Sequence, residues 1–143
     1  MGGGRIRLEP LNYHFELKLL KTRDSRVRHL QVYANLGALC INDEKVNFTF
    51  ILFDVNSRQT IKTIADVTSA VFNHDGTRII ASSNKSDSHI LILDSKTGDE
   101  LNRINISFKV LHQRIKVDKY RLFTIERLQD GNYVALGAYY KTQ

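Results

Sequence analysis

The chain has 143 residues, 42% hydrophobic and 25% charged, and its 21 basic and 15 acidic side chains leave a formal net charge of +6. That is the composition of an ordinary globular protein of one domain, large enough to bury a core. A single Cys, Cys40, excludes an intrachain disulfide, and the positive excess permits anionic partners without requiring them.

The opening MGGGRIRLEP has no apolar core of the kind a secretory leader needs. The longest apolar runs are too short to span a bilayer. A cytoplasmic or nuclear protein with no membrane partner is therefore expected. The following RIRLEPLNYHFELKLLK places Tyr13, Phe15, Leu17 and Leu19 on one side and His14, Glu16 and Lys18 on the other. A period of two predicts a half-buried leading strand over 5–20.

The first unit is predicted over 28–64. HLQVYA and ALCI are strands around the turn Asn35–Gly37, and a polar loop leads to the strand FTFILF. The turn DVNSRQ and the strand TIKTI close the unit. Cys40 lies in ALCI and reads as a small buried hydrophobe.

The second unit is predicted over 67–106 in the same order. VTSAVF and TRIIAS flank the turn NHDG, with Gly76 supplying a positive φ. HILIL is apolar throughout and predicts a strand buried on both faces. The turn DSKTGD, with Gly98, then leads to ELNRINI. Gly37 to Gly76 is 76 − 37 = 39 residues and Asp54 to Asp94 is 94 − 54 = 40, the period of a four-stranded propeller blade.

SFKVLHQRIKVDKY, 107–120, reads as an insertion. A partial unit follows over 121–140, with Asp130–Gly131 between two apolar strands, 131 − 76 = 55 residues after Gly76. The fold class predicted is all-β, about two and a half four-stranded antiparallel propeller-type units forming an incomplete propeller.

Charge gathers at two places. Lys18, Lys21, Arg23, Arg26 and Arg28 crowd the approach to the first unit, and Lys109, Arg114, Lys116, Lys119 and Arg121 crowd the insertion. Such clusters can neutralise phosphates but carry no sequence specificity. The five histidines, His14, His29, His74, His89 and His112, show no metal-ligand spacing. His74 beside Asp75 has no nucleophile elbow near it, and SKTGDE opens no helix and so is no phosphate loop. Asp54, Asp75, Asp94 and Asp130 read as turn caps. No catalytic constellation, metal site or cofactor is expected, and the chain reads as no enzyme.

FNHDGTRIIASS, ILILDSKTGDELNRI and the dipeptides Phe53–Asp54 and Leu93–Asp94 resemble blades of the WD-repeat family. The resemblance covers residues 28–106 and part of 120–140. It departs from the family in having no Trp and no Gly-His pair before the first strand of either unit. It implies a non-catalytic scaffold whose partners are other proteins or further blades, with self-association when isolated. The competing class is a nucleic-acid- or ribonucleoprotein-associated subunit using the two basic clusters.

Overall fold

A computed structural model describes residues 26–42, 47–84, 88–105 and 119–140. Among them the chain is all-β, with antiparallel sheets, no helix and no closed barrel. The first sheet holds β1 (Arg26–Tyr33), β2 (Leu36–Asn42), β3 (Phe48–Asp54) and β4 (Thr60–Ala65) in that order. The second holds β5 (Val67–Phe72), β6 (Arg78–Ser83), β7 (His89–Asp94) and β8 (Glu100–Asn105). A third pairs β9 (Lys119–Arg127) with β10 (Tyr133–Tyr140). The leading-strand segment 5–20 and residues 107–118 lie outside the described residues. Lys119 and Tyr120, read as the end of the insertion, belong to β9.

Strand register makes the first two sheets copies of each other. Each has a bulge in its inner hairpin, at Arg28 and at Thr68, and one in its outer hairpin, at Ile61 and at Leu101. The third sheet repeats the inner bulge at Phe123. A bulge re-aims the strand locally, so its recurrence at one place means that each unit bends alike.

Gly37 is corrected by the same register. It is not a turn residue but lies inside β2, paired with Val32 and Phe53, and the turn is Ala34–Asn35. Val32 pairs with Gly37 and Phe72 with Ile79, so the equivalent of Gly37 is Ile79. The offset is 72 − 32 = 40 before the loop and 79 − 37 = 42 after it. The NHDG loop is two residues longer, which makes the spacing of Gly37 and Gly76 a coincidence. Gly37 answers a packing need: a Cβ there would meet the Phe53 ring.

The core lies between the two four-stranded sheets. Ala38, Cys40, Phe50 and Leu52 of the first meet Val67, Phe72, Ile79 and Leu93 of the second, all of them buried. Burying each large side chain contributes about 1.5–3 kcal/mol. The second sheet joins the third through polar groups as well as Val71, Ile80 and Ile125. The Asn84 amide accepts from Leu122 N and donates to Leu122 O, both at 2.8 Å. A side chain thus pairs both backbone groups of Leu122, as a strand would. Thr68 Oγ1 donates to Leu122 O at 3.1 Å, and Ser69 Oγ accepts from Ile125 N at 3.2 Å.

Candidate interaction surface

The turns come first because they fix the loops. Asp94 Oδ1 accepts from Lys96 N at 2.8 Å and Thr97 N at 3.1 Å, and Asp54 Oδ1 accepts from Ser57 N at 2.7 Å. Gly98 N donates to Asp94 O and Arg58 N to Asp54 O, each at 2.7 Å, with φ of 75° and 63° at the two donors. The inner hairpins use a second pattern. Asp75 Oδ1 accepts from Thr77 Oγ1 at 2.6 Å and Thr77 N at 3.0 Å, and Asp130 Oδ1 accepts from Asn132 N at 3.0 Å. Gly76 and Gly131 follow these carboxylates at φ 74° and 90°. All four acids hold turns by satisfying backbone donors. Those hydrogen bonds keep each carboxyl below the ordinary Asp value.

The basic clusters fall mostly outside the described residues: Lys18, Lys21, Arg23, Lys109, Arg114 and Lys116 do so. Arg26 and Arg28 are exposed on β1, Arg28 as its bulge residue. Lys119 and Arg121 lie at the start of β9. The described residues therefore assemble no continuous basic surface from these ten.

A polar group that sequence reading missed lies where the units meet. His29 Nε2 of β1 is 3.4 Å from Glu126 Oε1 of β9, joining the first and third sheets. His29 Nδ1 is buried and has no hydrogen-bond partner among the described residues. Nearby units also touch through Arg127 Nη1, 3.5 Å from His74 Nδ1, and through Gln31 Oε1, which accepts from Phe72 N at 2.8 Å. No local motif marks His29 or Glu126, because they are almost a hundred positions apart (126 − 29 = 97). Among the described residues no three His, Cys, Asp or Glu side chains could hold one metal ion. No helix there is long and apolar enough to cross a membrane.

Apolar exposure is the other feature. Val27 and Leu136 are each 60% exposed, on β1 and β10 respectively, and Leu101 and Ile104 are each 50% exposed on β8. β7 also differs from expectation. Leu91 and Leu93 are buried, but Ile90 and Ile92 on its other face are only half-buried. Single exposed hydrophobics need no explanation, whereas grouped ones mark contact surfaces.

Stacked, twisted four-stranded antiparallel sheets whose first strands adjoin one another are the arrangement of propeller blades. The fold is propeller-like. An acylaminoacyl peptidase of Pyrococcus horikoshii, in an orthorhombic crystal form, matches 84% of this chain with a TM-score of 0.56 and 16% identity. The chain spans 18% of the peptidase's length. No family model matches the sequence, and no curated protein does.

This likeness corrects the expectation that the chain is no enzyme. A matching solved structure is that of a peptidase, so blades of this kind occur within a catalytic protein. A missing catalytic motif in 143 residues therefore excludes nothing about a protein that contains them. At 16% identity the likeness carries the fold and no activity.

Proposed function

We propose that the chain is a propeller segment, two complete blades and the inner half of a third, acting as an interaction module. Its open ends join further blades or a protein partner. The observation that carries this reading is the stack itself: two sheets in one register, with a two-stranded sheet continuing them. Propellers close with about four to eight blades of about 40 residues, so even the smallest needs about 160, more than the 143 here. An open stack leaves an uncovered face at each end. The exposed Val27, Leu30 and Val32 of β1 at one end and Val134 and Leu136 of β10 at the other support this. The Asp-Gly turns and the acids Asp54 and Asp94 support a WD-type version of the same reading.

Size-exclusion chromatography with light scattering tests the proposal. The isolated chain should associate beyond its 16.4 kDa monomer, through apolar faces and unpaired edges. A monodisperse monomer with a sharp cooperative melt would overturn it in favour of a self-closed β fold.

A further inference from the structure

The junction between the first two sheets provides a measure for the next junction. Phe50 and Leu52 of β3 face the second sheet and are fully buried, and Ile61 and Ile64 of β4 pack on the same core. The repeat places Ile90, Ile92, Leu101 and Ile104 at the equivalent sites, each 40 residues on (90 − 50, 92 − 52, 101 − 61, 104 − 64). Pairing agrees: Phe50 opposes Ile64 and Ile90 opposes Ile104, while Ile61 and Leu101 are both bulge residues. Yet Ile90 and Ile92 are half-buried, and Leu101 and Ile104 are each 50% exposed. The cause is geometric. β5, β6 and β7 all contribute side chains to the core that covers the first set. Against the second set lies β9, packed on β5 and β6 with its Ile125 in the cluster that Ile90 and Ile92 join, and the described third sheet ends at its partner β10.

We propose that this half-covered face, together with the edge of β10 that is unpaired among the described residues, takes a two-stranded antiparallel β-hairpin with one apolar face, like this chain's own β7–β8. The proposal rests on the propeller-segment reading. The hairpin's first strand pairs with β10, supplying the ladder partners that an edge strand lacks. Its inward side chains lie on Ile90 and Ile92, as Leu91 and Leu93 of β7 lie on the first sheet. Its second strand covers Leu101 and Ile104. The site is continuous with the existing contact of Val71, Ile80 and Ile125, so it extends a formed interface. On this face β8 sets Asn102 opposite Ile92 and Ile104 opposite Ile90, while Arg103 and Glu100 oppose Leu91 and Leu93 on the other face. An apolar partner face therefore fits better than a charged one.

The probe is a fluorescein-labelled synthetic peptide of residues 88–105, SHILILDSKTGDELNRIN, titrated with the full 143-residue chain and followed by anisotropy. An isolated hairpin is marginally stable and must be ordered on binding, so a Kd of about 10–100 µM is expected. Leu101→Lys with Ile104→Lys should weaken binding about tenfold or more. Thr63→Lys, exposed on the first sheet, should leave it unchanged. The peptide carrying Leu91→Ser and Leu93→Ser should not bind. Hydrogen exchange gives an independent readout, with amides of Tyr133–Tyr140 slowing when the wild-type peptide is added. No binding, or binding indifferent to the double Lys variant, overturns the proposal. If the chain still associates in light scattering, only the hairpin site falls. If it is also a monodisperse monomer, the propeller-segment reading falls with it.

Discussion

Gly76 meets two constraints at once. Its φ of 74° costs a side-chain-bearing residue about 1–2 kcal/mol, and a Cβ there would meet the Tyr33 ring of the first sheet. Displacing that ring adds about 1–3 kcal/mol. Gly131 has the same turn geometry at φ 90° with nothing near its Cβ position. Gly76→Ala should therefore lower stability in denaturant unfolding clearly more than Gly131→Ala. Equal losses would mean that Tyr33 does not pack on this turn. Acid stability belongs to the same scale. The largest influences are the Ser57 N–H on Asp54, the Thr77 hydroxyl on Asp75, the Lys96 N–H on Asp94 and the Asn132 N–H on Asp130. All four lower the folded-state pKa below 3.8. The turns' contribution is then fully present above that value and is lost as pH falls through the folded-state pKa. The melting temperature should be level down to about pH 5 and drop below about pH 4. Asp54→Asn with Asp94→Asn should flatten the drop; an unchanged slope would remove these caps from the explanation. Burial raises the Cys40 thiol to about 12, so a thiol reagent at pH 8 should label it only as fast as the native fold opens.

The unit of construction is a four-stranded meander with a bulge in its inner and in its outer hairpin, and its stability depends on what it faces. Phe50 and Ile90 hold the same place in successive units, but Phe50 is fully buried and Ile90 is not. Phe50→Ala should cost about 3–5 kcal/mol. Ile90→Ala should cost distinctly less, because Ile90 is only half-buried and loses less packing. Chemical denaturation of both variants decides this, and similar losses would mean that Ile90 is covered as well as Phe50. Sequence periodicity found these strands but treated HILIL as covered on both faces. Periodicity reports which side chains are apolar, and the neighbour that covers them comes from elsewhere in the chain.

The described residues form a stack in which β5, the first strand of the second sheet, is the shared contact. β5 packs on β1, β2 and β3 on one side and on β9 on the other. Far-ultraviolet circular dichroism should show a strand-dominated spectrum, since the described residues contain no helix. A helical content above about a fifth would be incompatible with blades. At this scale the net charge of +6 governs solubility and encounter rather than fold. The likeness to part of a peptidase sets architecture, not chemistry.

Strand order, the Asp-capped turns and the period near 40 are local matters of alternation and turn residues, so the sequence alone determined them. Asp54 and Asp94 mark equivalent turns, and Gly76 and Gly131 take the positive φ that their Asp-Gly context demands. Gly37 misled because a glycine answers either a backbone need or a packing need, and only the Phe53 ring above it distinguishes the two. Tertiary structure alone decided which apolar faces are covered, that His29 meets Glu126, and that Ile90 and Ile92 remain half-buried. These outcomes depend on groups brought together from distant parts of the chain. Burial belongs to a pair of surfaces, and a sequence pattern describes one surface at a time.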